Sequence, residues 1–395
     1  MWVIKAKMNT NSKKHIDLIV FSTGEWSFFH RRSLLESVSA SLFKDDQMVV
    51  LNRPIDLMTS WWRHPGKLKL GSALLAKNQN PPYLLFRPIL PIHDQLAYRN
   101  KYVSWINSKL LLINLKKILR SDAKRVLWVM HPSFFHYAKE LNPDLLIYDC
   151  YDEYVEFAKP SRIGLIRDLE QEILKKADLT IFAAKYVMQK KVQFCSNPYY
   201  LPNPVNMSLM SQARNKNLLV PQDLYAIPEP RVMYIGGVKA LLDEDLICFL
   251  AKNNPNISFV FIGKVEPLSP FANLEKEPNI YFLGFKPISQ LPAYLSGAKL
   301  GLVPYKINDL VRNINPNKVM DYLAAGIEVV STEIPELIGK YPQYIHVGKD
   351  KEEINLLLQT CLSRDSRIFP DSELKLNSQE YHCDKLVNHI HNLLN

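Results

Sequence analysis

The residues best suited to bind a phosphate lie at positions 315–326, with the sequence NPNKVMDYLAAG. The pattern predicts a helix with Asn315 as its N-cap, Pro316 at the first position and Gly326 in the left-handed conformation after the last turn. The first turn of such a helix presents backbone N–H groups and the positive end of the helix dipole. We therefore predict that this helix binds an anion such as a diphosphate.

Two charged side chains follow on one side of this predicted helix. Lys318 lies in its first turn beside Asn317, and Asp321 lies one turn later, at i+3. An ammonium on a phosphate and a carboxylate on ribose hydroxyls form a sensible site for a nucleotide-linked sugar, and all three residues are assigned to it. The alternative is an ordinary capped helix that carries a Lys–Asp pair.

A second candidate phosphate contact follows the apolar run RVMYI at 231–235. Gly236 and Gly237 end this run, and Lys239 comes two residues later. Glycines let the backbone approach a phosphate closely, and the lysine could pair with it. Because neither a G-x-G-x-x-G nor a Walker lysine motif is present, a simple strand-to-helix turn remains the alternative.

The elements that must position these residues alternate along the chain. Continuous apolar runs separated by helical stretches are typical of parallel sheets covered on both faces. The predicted strands are 15–22, 47–52, 125–130, 144–149, 178–183, 231–235, 257–262, 280–283, 300–303 and 328–331. Residues 201–230 contain five prolines and predict a linker. We therefore expect an α/β chain of two Rossmann-like domains, with ligands bound in the cleft where strands end.

The stretch at 313–336, NINPNKVMDYLAAGIEVVSTEIPE, resembles the signature of family 4 glycosyltransferases of the GT-B fold, in particular a branch of teichuronic-acid and capsule-type enzymes. Three further stretches agree in order and spacing: YIGG at 234–237, FVFIG at 259–263 and NIYFLG at 279–284. In the first half, YDCYDEY at 148–154 is similar to a motif of the same branch.

The resemblance implies a division of roles. It makes 1–205 the acceptor domain, 206–375 the nucleotide-sugar domain, and 376–395 a C-terminal helix that could return to the first domain. It also implies that Gly284 and Phe285 contact the base through the backbone. Where many members carry two glutamates eight positions apart, this chain has Asn313 and Asp321, and Glu328 replaces a usual proline.

The resemblance implies transfer of a hexose from a UDP- or GDP-linked donor to a glycan or lipid-linked acceptor in cell-surface polysaccharide biosynthesis. The implied reaction retains the configuration at the anomeric carbon and needs neither a metal nor a cofactor. Lys318 would neutralise the leaving diphosphate. His131, at the end of the run RVLWVM, is assigned to contact the donor sugar or the acceptor, with a structural histidine as the alternative. Among the acidic residues after the next strand, Asp152 is the candidate for orienting the acceptor.

Two other interpretations are weighed. A non-catalytic scaffold at a membrane surface is compatible with the changes at Asn313 and Asp321, but the retained Lys318, Gly236 and Gly237 favour the enzyme. Asp243-Glu244-Asp245 has the form of a D-x-D metal motif, yet acidic residues that open a helix usually complement its dipole. We therefore predict no metal site.

The charge of the chain is uneven. Lys and Arg outnumber Asp and Glu by 49 to 39 in the 395 residues, whereas residues 1–125 contain 21 against 8, a net of +13. Arg31 and Arg32, and the pair Trp61 and Trp62 before Arg63, are predicted acceptor or membrane contacts, because Trp beside Arg is typical of a membrane interface. Nucleic-acid binding has only charge in its favour and is not predicted.

The same composition excludes other classes. The 47% apolar content excludes a disordered chain, and no window is apolar enough for a transmembrane helix. No secretory signal is apparent, and five cysteines without close spacing argue for reduced thiols. We therefore expect a cytoplasmic protein held peripherally at the inner face of an anionic membrane.

Overall fold

The computed structural model describes residues 15–22, 26, 31–42, 47–52, 55–56, 75–79, 82–90, 100–266 and 274–394. Its strands are β1 His15–Phe21, β2 Gln47–Leu51, β3 Ile55–Asp56, β4 Leu75–Gln79, β5 Pro82–Phe86, β6 Ile89–Leu90, β7 Ala123–Val129, β8 Leu145–Cys150, β9 Leu179–Phe182, β10 Pro198–Tyr200, β11 Arg231–Ile235, β12 Ser258–Ile262, β13 Ile280–Gly284, β14 Leu300–Val303, β15 Val329–Thr332 and β16 Ile345–Gly348.

The α-helices of the described residues alternate with these strands. They are α1 Arg32–Leu42, α2 Lys101–Lys116, α3 Phe135–Glu140, α4 Ile163–Lys176, α5 Lys185–Lys191, α6 Met207–Met210, α7 Gln222–Tyr225, α8 Glu244–Asn253, α9 Leu291–Leu295, α10 Asp309–Arg312, α11 Asn317–Ala324, α12 Lys351–Leu362, α13 Asp371–Leu376 and α14 Gln379–Leu394.

The first domain is built on a sheet in the order β10-β9-β8-β7-β1-β2-β5-β4. Every pairing is parallel except that of β4 with β5. Apolar side chains fill both faces, with Ile19 and Phe21 of β1 on one and Leu18 and Val20 on the other. This explains why these strands appear in the sequence as continuous apolar runs rather than alternating ones. The strand order reverses at β1, between β2 and β7.

The second domain has a fully parallel sheet in the order β13-β12-β11-β14-β15-β16. This is the doubly wound Rossmann order, and it reverses between β11 and β14. Ligands of open α/β sheets bind at the carboxyl ends of the strands beside such a reversal. The expected α/β architecture of two Rossmann-like domains is confirmed, and its second switch point lies at the end of the predicted strand RVMYI.

The chain crosses back to its first domain at the end. Helix α14 packs along α1, and its Cys383, Leu386 and Ile390 join the core cluster that contains Leu35 and Val38 of α1. The last residues therefore tie the two domains together. Among the described residues, no helix is both long and apolar enough to span a membrane.

Polar contacts also join the domains near the predicted site. The Glu336 carboxylate accepts hydrogen bonds from the backbone N–H of Lys185 at 2.7 Å and from the hydroxyl of Tyr200 at 2.6 Å. The Lys190 ammonium donates to Asn313 Oδ1 at 3.1 Å. Asn313 is 1% exposed, so this departure from the family pattern has a structural role at the domain junction.

Candidate functional site

Three glycines, which we call the glycine cluster, lie at the carboxyl ends of strands in the second sheet, beside its switch point. Gly236, Gly263 and Gly284 follow or end β11, β12 and β13, and all three have positive φ, at 128°, 154° and 68°. Gly236 N donates to Ile262 O and Gly263 N donates to Gly284 O, both at 2.8 Å. A Cβ on Gly263 would lie 1.9 Å from the Gly236 carbonyl oxygen. The three strand ends therefore pack too closely for any side chain at Gly263.

The Lys318 side chain reaches across this switch point. Its ammonium lies 3.2 Å from the Tyr234 hydroxyl and also contacts the Tyr305 hydroxyl. The same nitrogen lies 4.4 Å and 4.7 Å from the centroids of these two rings. It would be only 3.1 Å from a Cβ built on Gly236. Two tyrosines, one on β11 and one just after β14, thus hold a cation over the glycine at the end of β11.

The helix that carries Lys318 begins later than the sequence predicts. Its N-cap is Pro316, which makes no side-chain capping bond, and Asn315 instead donates from Nδ2 to Ala183 O at 3.0 Å in the first domain. The prediction of Asn315 as N-cap is therefore wrong, because its amide serves the domain junction. Gly326, with φ of 82°, ends the helix as predicted.

Asp321 lies one turn after Lys318 and is half-buried. Burial raises the pKa of its carboxyl to about 7, against the opposing effect of Lys318. Lys318 contacts the two tyrosines, so no close Lys–Asp ion pair forms between these two residues. Asn317, at the start of α11, is exposed.

The remaining residues predicted to contact the nucleotide sugar lie around the glycine cluster. Lys239 is 55% exposed and pairs with Glu266 at 3.6 Å, and its side chain passes over Gly237, whereas that of Lys318 covers Gly236. Gly237 accepts a hydrogen bond from the Tyr234 hydroxyl at 3.0 Å. Phe285 follows Gly284 at the end of β13 with 71% of its surface exposed.

In the first domain, His131 stands at the carboxyl end of β7, beside the first switch point. Its Nδ1 accepts a hydrogen bond from Ser133 N at 3.1 Å, which places the proton of a neutral ring on Nε2. The ring packs edge-on against Tyr154, with centroids 4.5 Å apart. Tyr154 in turn donates to the Met130 carbonyl. Part of this histidine's role is therefore to cap the turn that follows the strand.

The acidic residues after β8 have different environments. Asp149 is fully buried, accepts from Trp128 Nε1 at 3.1 Å and pairs with Arg31 at 3.6 Å. Glu153 is buried and pairs with Lys191 at 2.9 Å. Asp152 is half-buried, and burial raises its pKa to about 7, against the opposing effect of Arg31. Asp149 and Glu153 are each held in an ion pair, whereas Asp152 is in none among the described residues. Of the three carboxyls, Asp152 is therefore the one that can contact a ligand.

The predicted acceptor and membrane contacts are placed differently from expectation. Arg31 is 2% exposed, and its Nη2 donates to Leu201 O at 3.0 Å. Its burial beside Asp149 removes it from the surface, so it does not act as a surface contact in this structure. Arg32 is partly exposed and pairs with Glu36 at 2.7 Å within α1. Trp61 and Trp62 lie outside the described residues.

One group among the described residues has the composition of a metal site. Glu328, His346 and Cys361 offer donor atoms within 4.8 Å of one another. The Arg364 guanidinium, however, donates to both oxygens of Glu328, each at 2.6 Å. A cation already neutralises this carboxylate, so the group forms a structural ion-pair network. The acidic run 243–245 has a capping role, since Asp243 Oδ1 accepts from Leu246 N at 3.0 Å.

The comparisons with known proteins agree with this geometry. Residues 230–362 match the model of a family described as glycosyl transferases group 1. These are the residues that carry the glycine cluster, Lys318 and its two tyrosines. Over these residues the chain is similar to the glycosyl transferases of group 1.

Relatives cover more of the chain. A putative teichuronic acid biosynthesis glycosyltransferase, TuaH of Bacillus subtilis, is 26% identical over 239 residues, which cover 56% of this chain and 58% of that protein. The chain thus spans little more than half the length of this relative.

Two solved structures show the fold over nearly the whole chain. Sucrose-phosphate synthase from Thermosynechococcus elongatus has a TM-score of 0.70 at 13% identity, covering 96% of this chain and 99% of that one. The Anabaena protein HepE, solved in complex with UDP and glucose, has a TM-score of 0.64 at 10% identity, covering 95% and 100%. The two domains therefore form a GT-B fold.

Sequence reasoning missed three residues of this candidate site. Gly263 ends the motif FVFIG, and its position after a strand was a signal for close backbone packing. Tyr234 lies within the motif YIGG, but an inward-facing tyrosine is ordinarily a core residue. Tyr305 lies in no motif, and only the pairing of β11 with β14 brings it beside Lys318.

Proposed function

We propose that the chain transfers a hexose from a nucleotide-sugar donor to a glycan or lipid-linked acceptor, with retention at the anomeric carbon and without a metal. The nucleotide sugar binds the second domain, and the acceptor binds the first. The similarity of residues 230–362 to glycosyl transferases of group 1 supports glycosyl transfer, and the similarity to a putative teichuronic acid biosynthesis glycosyltransferase supports an acceptor in cell-surface polysaccharide.

The observation that carries this proposal is the position of Lys318. A fixed cation lies over Gly236, in the space that a side chain at this position would fill, at the switch point between β11 and β14. The first turn of α11 adds backbone N–H groups and the positive end of a helix dipole. Cleavage of a nucleotide sugar releases a diphosphate, so preorganised positive charge at this point stabilises the leaving group.

Each remaining polar group has a role in the proposed site. Asp321, half-buried one turn after Lys318, binds ribose hydroxyls in its ionised form. Gly284 and Phe285 offer backbone groups to the base. In the first domain, His131 carries a proton at Nε2 suited to a hydrogen bond with a sugar or acceptor oxygen. Asp152, with its pKa raised to about 7, orients the acceptor hydroxyl and exchanges protons near neutral pH.

A binding screen tests the donor site. The wild type is first screened by thermal shift with UDP, GDP, ADP and CDP. The ligand that stabilises it most is then titrated into the wild type, Lys318→Met and the matched control Lys239→Met. Loss of a charged hydrogen bond of ~1.5–3 kcal/mol predicts about 10- to 150-fold weaker binding for Lys318→Met. Lys239→Met removes an exposed lysine that follows β11 and pairs with Glu266, and it is expected to leave the affinity within about threefold.

The same experiment identifies failure. If no nucleotide binds even at millimolar concentration, the chain is not a transferase and the scaffold interpretation is correct. If both variants weaken binding equally, the position of Lys318 has no special importance and the two lysines contribute only general positive charge. Turnover is then measured as release of the nucleoside diphosphate from the preferred donor with an acceptor extract, in the presence of a chelator.

A further inference from the structure

Helix α2 buries a mixture of apolar and polar side chains against the first domain. It begins at the N-cap Asn100, whose side chain accepts from the backbone N–H groups of Tyr102 and Val103 at 2.9 Å and 3.3 Å. The face toward the domain includes the polar residues Asn107 and Ser108, which are 0% and 2% exposed. Leu111 and Leu115 lie on the same buried side and join the core, so α2 buries only part of its apolar surface.

The outward face of α2 carries large apolar side chains among its lysines. Trp105 is 57% exposed and Ile113 is 54% exposed, and Ile106 and Leu110 lie between them with more than a third of their surfaces in water. The spacing of these residues follows the three- and four-residue steps of one helix side. Scattered apolar residues are normal on a surface, but four aligned along one helix form a continuous patch. We call these four residues the α2 face.

All charged side chains in the segment 101–120, which contains the α2 face, are positive. Residues 101–120 contain Lys101, Lys109, Lys116, Lys117 and Arg120 and no Asp or Glu. Lys109 is 47% exposed, pairs with Glu140 at 3.4 Å and lies 5.9 Å from the Trp105 ring centroid. Arg120 is held by Asp17 at 2.8 Å, so the lysines supply the local excess.

We propose that the α2 face docks the first domain on an anionic lipid bilayer. An apolar stripe flanked by lysines, with a Trp among the apolar residues, suits a helix that lies in the headgroup region. The net charge of +13 on residues 1–125 attracts an anionic surface and repels a second copy of the same domain. This charge therefore favours lipid over self-association as the occupant. The inference goes beyond glycosyl transfer and does not depend on it.

Vesicle sedimentation tests the proposal with the full chain. Vesicles of phosphatidylcholine alone are compared with vesicles that also contain phosphatidylglycerol, at low and high salt. The wild type is expected to bind the anionic vesicles and to lose affinity as salt rises. The variant Trp105→Gln/Ile113→Gln is expected to bind roughly tenfold more weakly for each substitution.

Two further variants separate the apolar and electrostatic contributions. Lys116→Gln/Lys117→Gln is expected to weaken binding to anionic vesicles by about fivefold per lysine and to leave binding to neutral vesicles unchanged. The matched control Leu219→Gln/Leu356→Gln removes side chains that are 85% and 63% exposed elsewhere, and it is expected to bind as the wild type does.

Three results would overturn the inference. They are equal binding by the wild type and the α2 variant, absence of binding to anionic vesicles, and a concentration-dependent dimer that the α2 substitutions abolish. The last would assign the face to a second copy. Because the substituted side chains are already exposed, the variants should unfold at the wild-type temperature, and circular dichroism checks that they do.

Discussion

Removal of the Tyr305 hydroxyl tests whether two tyrosines position Lys318 for a diphosphate. Tyr305→Phe deletes one oxygen and keeps the ring that lies 4.7 Å from the ammonium, so the cation–π contact survives. Of the three N–H donors of the ammonium, the hydroxyls of Tyr234 and Tyr305 take two and leave one for a ligand. Without one hydroxyl, the lysine regains rotamer freedom that nucleotide binding must remove.

The expected magnitude follows from that entropy. Immobilising a freed lysine side chain costs about 0.5–1.5 kcal/mol, which corresponds to about 2- to 12-fold weaker binding of the nucleoside diphosphate. Calorimetric titration of the wild type, Tyr305→Phe, Lys318→Met and the double variant gives the coupling between the two residues. In the Lys318→Met background the tyrosine substitution should have no further effect, because there is no ammonium to hold.

A matched control exists within the same domain. The Tyr294 hydroxyl donates to Asp223 at 3.0 Å, and its ring lies 5.1 Å from the Lys286 ammonium, outside the glycine cluster. Tyr294→Phe should leave nucleotide affinity unchanged. The reasoning is refuted if Tyr305→Phe binds as tightly as the wild type. It is also refuted if the substitution weakens binding equally with and without Lys318, since the hydroxyl would then contact the nucleotide directly.

Three further substitutions have defined outcomes. Gly263→Ala should lower the free energy of unfolding by at least about 2 kcal/mol in urea titrations, because its Cβ meets the Gly236 carbonyl and its φ is positive; Gly164→Ala, with open space around it, should cost nothing. Burial alone would raise the pKa of Glu328, but hydrogen bonds from Arg364, Arg367 N and His346 hold it below its usual value. Glu328→Gln should therefore lower the free energy of unfolding by about 2–4 kcal/mol at neutral pH. This loss should become smaller as pH falls through the pKa of Glu328 in the folded protein, and a loss independent of pH would contradict the ion-pair explanation. Asp321→Asn should raise the melting temperature increasingly between about pH 4 and pH 7 and then level off, because the raised pKa of Asp321 makes its charged form unfavourable in the fold; a variant that also binds nucleotide as tightly as the wild type at pH 8 would exclude the ribose contact.

Much of the architecture was predictable because it depends on local patterns. The strands of both parallel sheets are buried on both faces, so they appear as unbroken apolar runs, and the proline-rich stretch before residue 231 marks the connection between the sheets. The helix end at Gly326 was equally local, since a positive φ after the last turn favours glycine. The N-cap was not, because Asn315 has the residue type of a cap but donates its amide to the other domain.

The candidate site divides in the same way. Gly236, Lys318 and Asp321 belong to short motifs, and residue type with spacing is enough to mark them. Tyr305 and Gly263 become part of the site only when separate strands pair side by side. The same holds for Arg31, which the sequence presents as a surface cation and which the fold buries against Asp149.

The sequence by itself determined a pair of Rossmann-like sheets, the helix that carries Lys318 and a basic first third, because each depends on residues close together in the chain. The tertiary structure decided that Lys318 lies over the glycine cluster, that Asp149 and Glu153 rather than Asp152 form ion pairs, and which face of α2 is exposed. Those outcomes depend on contacts between elements far apart in sequence. Helical periodicity alone could not reveal that α2 buries its asparagine and serine and leaves its tryptophan in water.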